Sequence, residues 1–139
     1  MCLNGAVSLA EKVFEGPQGR TRMWSPKRGI FCTATSGTLT GPMAAQIIVA
    51  SDQVIAEAGW IIGFHDWWGM DGYDTATRQQ LTAYVGKILK YVKGVHLLAQ
   101  SKLVVMGINV ANLVLHQALH AYRERLAFEQ ALAKALNHP

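Results

Sequence analysis

A chain of 139 residues, 50% hydrophobic and 16% charged, can bury about two thirds of its unfolded surface in one domain. This composition excludes a disordered chain, and no apolar run approaches the roughly 20 residues that a membrane-spanning helix needs. The formal charge of +4 is split between Arg20, Arg22, Lys27 and Arg28 in the first third and Lys87, Lys90 and Lys93 further on, so no nucleic-acid partner is expected.

The two cysteines, Cys2 and Cys32, are far apart and form no CxxC pair, which implies free thiols rather than a zinc site or a disulfide framework. The N-terminus lacks a basic segment followed by a long apolar one, so a cytoplasmic protein is the default expectation.

In chain order, residues 5–14 read as an edge strand or a short helical arm, with Val7, Leu9, Val13 and Phe14 as inward candidates. Gly16-Pro17-Gln18-Gly19 is a turn, and Arg20 to Trp24 is a short strand interrupted by Ser25-Pro26. Lys27 to Ser36 resumes as a second strand feeding into Gly37. Thr40-Gly41-Pro42 is a helix entrance, because proline is tolerated in the first turn, where its missing amide has no intrahelical partner. That helix is expected to reach Ala58 with Ile47, Ile48, Val54 and Ile55 on its apolar stripe, and to stop at Gly59.

The stretch from Trp60 to Ser101 predicts a βαβ unit. Trp60 to Phe64 is a short apolar strand ending at His65-Asp66, and Gly69-Met70-Asp71-Gly72 reads as a turn. Asp74 stands at a helix N-cap, where its carboxylate can accept from free amides of the first turn. Leu81, Tyr84, Val85, Ile88 and Val92 follow at helical spacing, with Lys90 and Lys93 near the negative end of the helix dipole and Gly94 as its stop. Val95 to Ala99 is the second strand, joined by a right-handed crossover.

Beyond Ser101, residues 102–106 can continue a strand, and a helix is expected from Met106 through Leu115. Residues 117–122 then read as a last strand and residues 127–136 as an amphipathic helix, with one long helix over 106–136 left open as the alternative.

The order of strand pair, helix, strand, helix, strand, helix, strand, helix resembles the STAS domain, the fold of bacterial anti-sigma-factor antagonists, and especially the small stand-alone SpoIIAA-like proteins. The residues carrying the resemblance are Gly37-Thr38-Leu39-Thr40, Phe64-His65-Asp66, Asp74-Thr75-Ala76-Thr77 and Phe128-Glu129-Gln130-Ala131-Leu132, within residues 28–136. It implies one α/β domain over 1–139, with an N-terminal strand or arm at 1–27 and a mixed sheet of four to five strands with helices mainly on one face.

The resemblance also implies a non-catalytic regulatory module that binds another protein or itself as a homodimer. In such antagonists a partner kinase phosphorylates a serine or threonine at the helix following the central strand. The matching position is Thr75, where a phosphate gains from the helix N-terminus and changes the local charge by nearly two units. The family's aspartate-serine-serine-glycine pattern is absent, and the preceding segment carries bulky Trp67, Trp68 and Tyr73. The expected interface runs from Trp67 through Asp74 to Arg78.

The rival reading is a binding protein for a small apolar molecule or lipid, or a hydrolase, built on His65 and Asp66 with Trp67 and Trp68 beside them, at the sheet edge where open α/β proteins place ligands. Ser36 and Ser101 are candidates for the same edge, but no GxSxG elbow occurs. His116 and His120 have the four-residue spacing of paired zinc ligands without HExxH, a spacing that loses its meaning if the segment is a strand. Asp66, Asp71 and Asp74 read as turn and cap residues rather than magnesium ligands. Neither GxGxxG nor GxxxxGK[ST] occurs, so no cofactor or metal is expected.

Overall fold

The computed structural model describes residues 10–138. Their elements are β1 (Lys12–Glu15), β2 (Gly19–Lys27), β3 (Ile30–Leu39), α1 (Gly41–Ala58), β4 (Ile61–Tyr73), α2 (Thr75–Ile88), β5 (Val92–Leu98), α3 (Lys102–Asn112), β6 (Leu119–Tyr122) and α4 (Arg125–Asn137). The six strands form one sheet in sequence order, antiparallel from β1 to β3 and parallel from β3 to β6. The expected mixed sheet is there, with one strand more than four to five. The extra strand is β1, which pairs with β2 from Lys12 opposite Met23 to Glu15 opposite Arg20. Phe14 packs on the core but Val13 is exposed, against its expected inward place; Val7, Leu9 and Cys2 lie outside the described residues.

Side-chain alternation along the strands gives the sheet two apolar faces. One carries Met23, Phe31, Leu39, Ile61, Trp67, Val95 and Leu97 and is covered by α1, α2 and α3 through residues such as Met43, Ile47, Ile88, Val104 and Ile108. The other carries Ile30, Cys32, Phe64 and Leu98 and is covered by α4 through Phe128 and Leu132. Burial pushes the Cys32 thiol up to about 12, so it behaves as a small core residue.

The ends of α1 follow from its sequence. The Thr40 hydroxyl accepts from the Met43 amide at 3.4 Å, Pro42 lies in the first turn, and Gly59 closes the helix in the left-handed region at φ 81°, its amide donating to the Ile55 carbonyl at 2.7 Å.

Several boundaries differ from expectation, among them β2, which runs through Ser25-Pro26 to Lys27, and β3, which starts at Ile30. The supposed turn at residues 69–72 is strand, because β3 continues to Leu39 and pairs with β4 as far as Leu39 opposite Tyr73, absorbing the irregular glycine-rich stretch in two register shifts. Helix α2 ends at Ile88 in a single 3-10 turn, residues 89–91, and Gly94 is a strand residue rather than a helix stop. A Cβ there would stand 3.3 Å from Nε2 of His96, so the glycine makes room for that ring on the same face. Lys93 therefore belongs to β5 rather than to the last turn of α2.

Helix α3 begins at Lys102 rather than Met106, with the Ser101 hydroxyl accepting from the Val104 amide at 3.4 Å. The strand reading of the last third is the one adopted. His116 and Gln117 take positive φ of 55° and 63°, which stops helical propagation, and the Asn112 side chain holds both backbone groups of Leu119 at 2.9 Å as β6 begins. His116 and His120 thus sit on a turn and a strand, and no group of three potential metal ligands occurs among the described residues. Among the described residues, no helix is long and apolar enough to cross a membrane.

Candidate functional site

Strands β3, β4 and β5 run parallel, so their C-terminal ends and the N-termini of α1, α2 and α3 gather along one edge of the sheet, capped by Thr40, Asp74 and Ser101. Asp74 is the strongest cap: its Oδ1 accepts from the Thr77 amide at 2.7 Å, and that bond holds its carboxyl below the ordinary range. Thr75, the first residue of α2, is exposed, whereas Thr77 is buried.

Behind this edge Tyr73 is half-buried. Its ring meets Trp67 edge-on at 6.1 Å, and its hydroxyl donates to the Val104 carbonyl at 3.3 Å. Burial raises the phenol, with nearby Arg78 opposing it. Gly107 of α3 has no side chain because the Tyr73 hydroxyl and Arg78 occupy the space where a Cβ would be.

His65 and Asp66 do not act as a pair. As strand neighbours they face opposite sides of the sheet. The His65 ring lies against Phe31 and Trp67, and its Nδ1 is 2.7 Å from the Thr33 hydroxyl. Burial, reinforced by His96, pushes it down to about 4, leaving a neutral ring near pH 7. Asp66 turns to the other side: its Oδ1 accepts from the Trp68 amide at 3.1 Å and its Oδ2 from Arg125 of α4 at 2.9 Å. Ser101 is spent as a cap and Ser36 is exposed on β3, so neither supplies His65 with a hydroxyl nucleophile.

The adjacent tryptophans divide in the same way. Trp67 is only 7% exposed and belongs to the core under α1–α3, while Trp68 packs on the α4 face and its carbonyl accepts from Gln100 Nε2 at 2.8 Å. Trp67 lines an apolar cavity of about 100 Å³ between α2 and the sheet, with Ser51, His65, Tyr73, Arg78, Thr82 and Tyr84 as its polar-bearing neighbours. The Trp67 indole N–H is buried and has no hydrogen-bond partner among the described residues.

One feature of this edge was not singled out from the sequence. Leu103, Met106, Val110 and Leu113 recur along α3 and the turn after it, exposed at 71%, 61%, 51% and 78%, with Val114 beside them. The opposite side of the same helix packs into the core through Val104, Ile108 and Ala111. The signal was readable: apart from Lys102, Asn109 and Asn112, residues 102–115 are apolar or glycine, more than one stripe can hold, and a helix lying on a sheet can bury only one side.

No protein-family model matches the chain, and no curated protein matches it. Among solved structures, the fold is similar to that of an uncharacterized DUF3478-family protein with a SpoIIAA-like fold from Shewanella loihica PV-4. The identity is 16%, the match covers 95% of this chain and 98% of that one, and the TM-score is 0.59. It is also similar to an anti-sigma factor antagonist from Mycobacterium paratuberculosis, at 15% identity over 91% of this chain and 95% of that one, with a TM-score of 0.54. The chain therefore has the STAS-like, SpoIIAA-like fold that its element order suggested.

Proposed function

We propose that this protein is a non-catalytic regulatory module that binds a partner protein through the edge formed by the N-terminus of α2 and the outer side of α3. The observation that carries the reading is the exposed stripe of Leu103, Met106, Val110 and Leu113, an uncharged helical surface with the i, i+3, i+7 spacing of helix-in-groove recognition. The anti-sigma factor antagonist among the structural neighbours supports the same class of role.

Thr75 is the switch position. Its hydroxyl is accessible, it lies beside free amides at the positive end of a 14-residue helix, and a phosphate there adds nearly two negative charges next to an apolar contact surface. Affinity purification from the source cells, comparing wild type with Thr75→Glu and Met106→Asp, tests the reading. A protein recovered stoichiometrically with wild type and lost with both variants supports it, and equal recovery with both overturns it. Circular dichroism checks that both variants fold, which their exposure allows.

A second reading rests on Trp67. Its unpartnered N–H beside His65 in a small apolar cavity is what a neutral ligand with one acceptor group would use. Native mass spectrometry of gently purified protein decides it: a retained small-molecule mass that His65→Ala removes favours this reading over the first.

A further inference from the structure

The α4 face of the sheet holds a groove of about 710 Å³ at the end opposite Thr75, where β4 and β5 begin and β2 turns into β3. Its size lies within the roughly 300–1,000 Å³ of small-molecule sites. Lys27, Arg28, Lys93 and Lys134 line it, and among the described lining residues none is acidic. Four cations without a carboxylate are not a chance arrangement of solvated surface here, because three of them are held in place.

The positioning starts from Ser25, whose buried hydroxyl is 2.6 Å from the Ile30 carbonyl and 3.0 Å from that of Lys27, fixing the tight turn between them. Gly29 in that turn has φ 82°, and a side chain on it would collide with the Trp60 ring, so the indole lies directly against the turn backbone. The Lys93 ammonium then sits 4.1 Å from the centre of a Trp60 ring. Lys27 donates to the Leu136 carbonyl at 2.9 Å, and Arg28 donates to the Glu57 carbonyl at 2.6 Å. Both contacts are to carbonyls, which carry no formal charge. Ile62 and Phe64 supply an apolar wall, and Tyr122 and the neutral His96 add flat rings.

We propose that this groove binds a small aromatic anion, a planar ring bearing a carboxylate or a phosphate monoester, with the ring against Trp60 and the head among Lys93, Lys134 and Arg28. The cations recognise the head and the fixed rings recognise the body, so an anion without a ring and a ring without an anion each lose half of the contacts.

Isothermal titration of the full chain with naphthyl phosphate and naphthoate, with naphthalenemethanol and inorganic phosphate as the two half-ligands, tests this. The aryl anions are expected to bind at least about tenfold more tightly than either half-ligand, and the two heads tell phosphate from carboxylate. Lys134→Gln, on the exposed side of α4, and Lys93→Gln are each expected to weaken binding about tenfold, whereas Arg20→Gln, a cation outside the groove, leaves it unchanged. NMR shift mapping is expected to place the largest perturbation at the Trp60 indole. Equal binding of the neutral alcohol, indifference to both lysine variants, or no binding at millimolar aryl anion overturns the proposal. Displacement of naphthyl phosphate by a thymidine oligonucleotide at far lower concentration than by thymidine monophosphate also overturns it, in favour of single-stranded nucleic acid.

Discussion

The two ends of the parallel sheet solve opposite problems with the same strands. At the C-terminal end of the strands the helix N-termini gather, where Thr40, Asp74 and Ser101 each accept from one amide of the first turn and the other free amides stay available, and α3 starts at the same edge with its bare outer side. At the N-terminal end there are no helix starts on the α4 face, and cations on loops and strands take over around Trp60. A surface shaped by backbone dipoles is suited to another protein whose charge can be switched, whereas one shaped by fixed side-chain charge is suited to a compact anion. The two surfaces should respond independently to mutation.

The largest separation is expected from the two cores beneath them. Phe31→Ala empties the α1–α3 side and Phe128→Ala the α4 side, and each is expected to cost about 3–5 kcal/mol in urea denaturation, since both rings are buried. Only Phe128→Ala should also abolish binding of aryl anions while sparing a partner that docks on α3; loss of both by either variant would show that the ends are coupled. Next in size is Gly29→Ala, expected to cost about 1–3 kcal/mol from the left-handed backbone alone. Displacement of Trp60 should add a shift in its fluorescence, and an unchanged spectrum would mean that the ring does not depend on the turn.

The pH dependence follows from two histidines on opposite faces. His65 and His96 are both pushed down to about 4, in each case chiefly by burial, from an unfolded value of 6.5. Between those values the unfolded chain binds more protons than the folded one, so stability is full above about pH 6.5 and falls as the pH drops towards 4. Melting temperatures at pH 7 and pH 5 measure the loss, and His65→Gln should reduce the difference. The smallest effect is expected from Asp66→Asn, which breaks the bridge to Arg125 on a partly exposed surface and should cost about 1 kcal/mol or less.

Local chemistry made part of this legible in the sequence. Thr40-Gly41-Pro42 and Gly59 bracket α1, and Asp74 opens α2, because capping depends only on neighbouring residues. The failures share a cause. Gly69 and Gly72 signal a turn in isolation, and only the partner strand β3, some thirty residues earlier, makes them extended. Gly94 signals a helix stop, but its lack of a side chain serves the His96 ring. At the candidate site, the helix start at Thr75 is legible because Asp74 caps it locally, whereas adjacency in sequence does not bring His65 and Asp66 together, because strand neighbours face opposite ways. Trp60 and Lys93 were read as strand and helix residues, and their meeting depends on a register shift between β4 and β5 that no local pattern encodes.

Among the described residues the sheet also ends in two very short margins. β1 and β6 are each four residues long, and β1 carries Lys12 and Glu15 at its ends. So few free amides and carbonyls offer a second chain only a brief ladder, and charge penalises its alignment. Copies of this protein brought to high concentration should therefore meet helix to helix across α3, giving discrete dimers that dissociate on dilution, rather than adding strand to strand into fibres.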